Sequence, residues 1–342
     1  MSKRTDDQLP TISRPLLAGF QWFVARYLAR NFHTLALHRQ ALANVIHAAA
    51  DSYRSPDHSP DSSPDSSDSS ADVRPLEPTD SIVVYANHAS WWDPLAAIFV
   101  AQRLFGEWAM YAPIDADALR QYRLFGRMGF FGIERRSARG AADFLRMANR
   151  ILSQPATSLW MTPEGRFADV RDTTAELMPG LAHLAWKLAQ RPHAALSPEA
   201  DPAVGNISQR TDGPDRQANY SPLDSQRVDQ CPHRVWFVPL AVEYTFWEER
   251  QPELLMRFGQ PLAVAGMQTQ SKQQWDRDLT DRLREAQAEL ARLSVARDAA
   301  QFEILLGGSS GTFWLYDWWR RLCGLVGRRR VQIPHGQKFN QR

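Results

Sequence analysis

The sequence has few features of extracellular, metal-stapled or membrane-spanning proteins. It holds two cysteines in 342 residues, Cys231 and Cys323, far apart and without a C-x-x-C spacing. That count excludes a disulfide framework and argues against a structural zinc site. The opening MSKRTDDQLP has no apolar run of the signal-peptide kind. No stretch reaches the roughly 18 uninterrupted apolar residues that span a bilayer, so the expected location is cytoplasmic. An excess of one charge is also missing: 40 Lys and Arg face 38 Asp and Glu, for a net charge of +2. Such a balance gives no reason to expect a nucleic-acid partner. Acidic residues are absent from residues 11–40, which carry Arg14, Arg26, Arg30 and Arg39.

Twelve tryptophans are present. Rings with one polar edge suit membrane interfaces as well as cores. Residues 11–50 read as helical, with Leu16, Leu17, Phe20, Phe23, Val24, Tyr27 and Leu28 at helical spacing and Pro15 suited to a first helical position. A basic amphipathic helix of this kind can lie in the plane of an anionic membrane. The same pattern also fits a helix that caps a core with its arginines in water. Residues 311–342 repeat the theme, with seven Lys or Arg against Asp317 alone and with aromatics beside the arginines. Together the two ends point to the cytoplasmic face of a membrane, in peripheral or monotopic fashion, with membrane lipid as partner.

Between these ends lie two polar stretches. Residues 54–80 and 196–232 are rich in Ser, Asp, Pro and Gln and poor in apolar side chains. They are expected to be a disordered linker and a disordered insertion. The rest of 81–300 alternates strands with helices. SIVVYA (81–86), 129–134, SLWMT (158–162), 235–244 and 254–262 read as strands. Residues 94–105, 138–152, 181–190 and 271–299 read as helices. That alternation predicts an α/β fold, a mixed sheet flanked by helices.

His88 directly follows the first of these strands, and Asp93 lies five residues later. On one ideal helix five residues rotate by about 500°, so the two would not share a face. They can meet if His88 sits on the loop after the strand and Asp93 on the first turn of the next helix. The carboxylate would then fix one ring nitrogen and leave the other free as a base. A histidine satisfied in a loop explains the same two residues. Three further segments add weight: FFGIERR (130–136) with Arg135 and Arg136, TPEGRF (162–167) with Glu164, Gly165 and Arg166, and VPLAVEY (238–244). Strand ends of an open α/β sheet are where ligands gather, and arginine suits phosphate.

The order and spacing of these four segments resemble the four-block signature of the glycerolipid (lysophospholipid) acyltransferase family, including the 1-acylglycerol-3-phosphate acyltransferases. NHASWWD is similar to that family's N-H-x-S-x-x-D. FGIERR, TPEGRF and VPLAVEY are similar to its second, third and fourth blocks, across 81–262. The resemblance implies an α/β sheet with a groove or tunnel for an acyl chain and attachment to membranes. It implies His88 and Asp93 as the catalytic pair, and Arg135, Arg136, Glu164, Gly165 and Arg166 as substrate-binding. It also implies acyl transfer from acyl-CoA or acyl-carrier protein to a hydroxyl of a lysophospholipid or other lipid, without metal or resident cofactor. Backbone amides near the first block or the Glu164–Gly165 turn would stabilise the oxyanion. The third block departs from the family, because Arg166 follows Gly165 directly and Phe167 comes next. That change leaves the owner of the hydroxyl open among lysolipids, glycolipids and hydroxylated terpenoids.

Two other readings exist. Residues 307–311 fit G-x-S-x-G after the strand-like FEILL, which would make Ser309 the nucleophile of a hydrolase. Only Asp317 and His335 follow it to complete a triad. A non-catalytic membrane-binding protein on the same scaffold is the second.

Overall fold

A computed structural model describes residues 9–39, 76–77, 79–134, 137–191, 233–264 and 267–308. Arg135, Arg136, Ser309 and the stretches 196–232 and 311–342 fall outside the described residues, as does most of 54–80.

The described residues form a mixed sheet with helices on both faces, as the alternation predicts. In chain order the elements are α1 (Arg14–Asn31), β1 (Thr34–His38), β2 (Ser81–Ala86), α2 (Asp93–Leu104), β3 (Ala109–Asp115), α3 (Ala116–Gln121), β4 (Phe130–Ile133), α4 (Ala138–Ile151) and β5 (Thr157–Met161). They continue with α5 (Gly180–Ala189), β6 (Val235–Thr245), β7 (Glu253–Phe258), β8 (Leu262–Ala263), α6 (Lys272–Ala296) and β9 (Phe302–Gly307). A 3-10 turn over Arg123–Met128 links α3 to β4.

The sheet order is β4-β3-β5-β2-β6-β7-β1-β9, with β8 beside β6. The five strands from β4 to β6 are mutually parallel. The chain then reverses into β7, which runs antiparallel to β6. β1 lies parallel to β7, and β9 closes the edge antiparallel to β1. Every residue of β2 is buried, as expected for a strand covered on both faces. Ile82, Val84 and Ala86 face the layer of α1 and α2, whereas Val83 and Tyr85 face α4, α5 and α6. Parallel strands end together, so the C-terminal ends of β2, β5 and β6 converge on one rim.

Four sequence expectations change. The helix expected over 11–50 ends at Asn31, and residues 34–38 are a buried strand. TLALH is a short apolar run, which periodicity alone does not assign to helix or strand. β1 and β9 belong to the same sheet, so the folded unit extends beyond 81–300 on both sides. The strand expected over 254–262 is two strands. At the break, Gly259 donates its N–H to the Pro239 carbonyl at 2.9 Å, and a Cβ there would lie 2.8 Å from Pro239 Cγ and 3.0 Å from Ala286 Cβ. Finally, Asp80, placed at the end of the linker, is buried and accepts from Arg234 N–H and Trp236 Nε1 at 3.2 and 3.1 Å.

Candidate active site

The rim site is built from the loop that leaves β2. Asn87 is buried, and its carboxamide pairs with both backbone groups of Val242. Nδ2 donates to the carbonyl at 3.0 Å, and Oδ1 accepts from the amide at 2.8 Å. The side chain thus continues the β2–β6 ladder where the backbone turns away. The turn releases His88 at the strand end, and α2 then begins at Asp93, with Pro94 in its first turn. Proline is pre-shaped for that position and needs no N–H there.

His88 and Asp93 meet as the spacing allowed. His88 Nδ1 lies 2.7 Å from Asp93 Oδ2, with the carboxylate buried and the imidazole 18% exposed. An ionised carboxylate only accepts, so Nδ1 carries the proton and Nε2 presents its lone pair. Among the described residues Nε2 has no hydrogen-bond partner. Asp93 Oδ2 also accepts from the Ser90 amide at 2.9 Å, and Oδ1 accepts from the Tyr244 hydroxyl at 2.5 Å. Burial, reinforced by the Asp93 charge and this hydrogen bond, pushes the Tyr244 phenol far above its ordinary range. It is therefore a neutral donor.

The third block supports the loop from the other side. Glu164 is buried, and both of its oxygens are engaged within the protein. Oε2 accepts from the His88 backbone amide at 2.7 Å, and Oε1 pairs with Arg284 Nη1 at 3.0 Å. Arg284, on α6, also bonds Gln287 and the Ala175 carbonyl. The His88 carbonyl accepts from the Ala168 amide at 2.9 Å. Gly165 turns the chain at φ 64°, where an added Cβ would meet Met178 Sδ at 2.5 Å. The Gly165 amide is committed to the Thr162 carbonyl at 3.1 Å. It is thus not a free donor of the kind expected of this turn, and in the first block the His88 and Ser90 amides are likewise taken, by Glu164 and Asp93.

Arg166 is 63% exposed on its side chain, 3.8 Å from Asp172. The Phe167 ring stands 4.5 Å from the His88 ring at an angle of 47°. The structure therefore gathers His88, Asp93 and Glu164 into one network, with Gly165 at its turn and Arg166 on the surface beside it. The sequence reading missed Asn87, Tyr244 and Arg284 as parts of this network. Asn87 and Tyr244 lay inside segments already singled out. Arg284 carried no local signal, being one of many charges on α6.

A cavity of about 130 Å³ lies between α2 and the sheet, lined by Asp93 at the rim and otherwise mostly by apolar side chains. Ala86, Ala96, Ala97 and Ala112 face it, where larger side chains would fill the layer. Trp160, Met110 and Met256 also line it. Apolar cavities of about 150 Å³ hold a benzene-sized group.

No curated protein matches the chain. Residues 70–198, which include His88, Asp93 and Glu164, match the family model described as Acyltransferase, and this match supports acyl transfer in general as the chemistry of the domain.

Proposed function

We propose that the protein is an O-acyltransferase that moves a fatty acyl group from acyl-CoA or acyl-carrier protein to a hydroxyl of a lysophospholipid or other lipid acceptor. The observation that carries the reading is the buried Asp93 carboxylate 2.7 Å from Nδ1 of a partly exposed His88, beside an apolar cavity. His88 Nε2 takes the proton of the acceptor hydroxyl. The oxygen attacks the thioester carbonyl, a tetrahedral oxyanion forms, and its collapse expels the thiolate, which takes the proton from His88. Asp93 fixes the tautomer and stabilises the imidazolium between these steps. The cavity takes roughly six carbons of the acyl chain, by comparison with benzene-sized sites.

Lipid substrates require contact with a bilayer, and one face of the molecule suits it. Trp22 and Phe23 on α1, Leu124 on the 3-10 turn and Trp91 on the dyad loop are more than half exposed. A chain of ring contacts links Phe23 to Trp91: Phe23 to Tyr27 at 5.6 Å, Tyr27 to Trp92 at 5.3 Å, and Trp92 to Trp91 at 4.3 Å. Arg14, Arg26 and Arg30 lie on the same helix without an acidic residue. Aromatics beside arginines fit the headgroup layer of an anionic membrane. No helix among the described residues is long and apolar enough to cross one. In this reading the face serves peripheral or monotopic attachment.

The test is transfer from labelled acyl-CoA and from labelled acyl-carrier protein into a panel of hydroxylated lipids. His88→Ala is expected to lower the rate by about 10²–10⁴, the usual worth of a general base. Absence of His88-dependent transfer with either donor refutes the reading.

A further inference from the structure

Asp93 holds more donors than the pairing with His88 needs. Its Oδ2 serves His88 and Ser90, while Oδ1 is occupied by Tyr244 alone among the described residues. The arrangement follows from strand alternation. On β6, Leu240, Val242 and Tyr244 share the face towards α2, whereas Ala241 packs on the α6 side. Leu240 and Val242 end as cavity wall. Tyr244, two residues further, reaches past the wall to the first residue of α2. Its ring is steadied by Phe32, 5.9 Å away at the end of α1. A phenylalanine would pack against Phe32 equally well. The hydroxyl is needed only by Asp93, which is its one hydrogen-bond partner among the described residues.

We propose that Tyr244 is a positioning residue of the His88–Asp93 pair, which pins the second carboxylate oxygen and sets how much negative charge Asp93 presents to the imidazole. The proposal rests on His88 acting as the base. A donor on Oδ1 draws charge away from Oδ2 and stops the carboxylate from rotating. With the donor present, His88 is oriented without being locked as an imidazolium. Without it, Asp93 becomes a stronger partner for the protonated ring, and one of its buried oxygens has no donor.

Few other charges bear on the pair. Glu164, from the loop after β5, reaches the His88 backbone and is neutralised by Arg284 of α6. From β7 and the residue before β1, Glu253 and His33 pair with each other at 3.4 Å. Ser90 contributes an amide, and Phe167 covers the ring without charge.

The experiment compares wild type with Tyr244→Phe by nuclear magnetic resonance titration of the His88 ring in the protein without substrate, alongside the pH profile of kcat/KM. The His88 midpoint is expected to rise by roughly half a unit or more in Tyr244→Phe, and the acid limb of the profile to move with it. In an Asp93→Asn background, Tyr244→Phe is expected to leave the midpoint unchanged, because the charge it modulates is gone. An unchanged or lowered midpoint in the single variant overturns the proposal, as does an equal shift with and without Asp93. The titration reads Tyr244 without any acyl transfer. Failure of the enzymatic reading would show separately, as a wild type with no His88-dependent transfer.

Discussion

Replacing Arg284 by methionine should damage the protein in a way that a second substitution repairs. Arg284 and Glu164 form an ion pair whose side chains are 12% and 1% exposed. Removing the guanidinium strands a carboxylate that water does not reach. Breaking a buried pair from one side costs about 3–5 kcal/mol. For a domain of this size, about 3 kcal/mol corresponds to a fall in Tm of roughly 6–12 °C. Glu164 also holds the His88 amide, so the dyad loop loosens and kcat falls with it. Adding Glu164→Gln removes the stranded charge and keeps a carbonyl oxygen for that amide. Arg284→Met with Glu164→Gln should therefore be more stable than Arg284→Met alone, by about 2 kcal/mol or more. Urea unfolding of the two variants and wild type, at matched m-values, measures it. A cost under about 1 kcal/mol for Arg284→Met, in the range of an exposed pair, would falsify the reasoning. So would a double variant no more stable than the single.

The other predictions concern the cavity, the aromatic face and the third-block turn. Ala97→Leu should fill the space beside α2 and shift donor preference towards shorter acyl chains, read as kcat/KM across a chain-length series. An unchanged preference would remove the cavity from acyl binding. Trp22→Ser with Phe23→Ser should weaken sedimentation with vesicles of phosphatidylglycerol and phosphatidylcholine, by about tenfold for more than 1.4 kcal/mol of lost apolar contact, while transfer to a detergent-dispersed acceptor persists. Equal binding of wild type and variant to the vesicles would rule out this face. Gly165→Ala should cost about 1–2 kcal/mol in stability for the positive φ alone, and more for the Cβ against Met178. A variant as stable as wild type in thermal melts would contradict the turn geometry.

The parts of the molecule legible in the sequence were those with local causes. The expected strands over 81–86, 129–134 and 158–162 correspond to β2, β4 and β5 within a residue or so; β2 and β5 are buried parallel strands that read as continuous apolar runs, while β4 is a short edge strand marked by its paired phenylalanines. α6 is announced by the Ser271–Gln274 capping box at its start. The meeting of His88 and Asp93 needed only a strand end and the first turn of the next helix. What escaped depended on distant partners. β1 is set by pairing with β7, some two hundred residues later, so Leu35 and Leu37 looked like helix. β3, with Pro113 within it, showed neither alternation nor a long apolar run. Arg284 is one basic residue among many on a charged helix, and only the fold reveals that its neighbour is buried Glu164. Gly165 and Glu164 were noticed, yet the Glu164 role as a clamp on the His88 backbone follows from burial rather than from sequence.

The place of β1 in the sheet also orders events in time. β1 is made early, but both of its neighbours, β7 and β9, come from the last third of the chain. At ordinary rates of synthesis that is a wait on the order of tens of seconds. During it β1 has neither of its sheet neighbours, and the α1 helix that precedes it waits with it. The dyad is in the same position, since Tyr244 and Arg284 emerge long after His88 and Asp93. A nascent chain would therefore carry His88 and Asp93 for much of its synthesis before the hydroxyl and the guanidinium that complete their network exist.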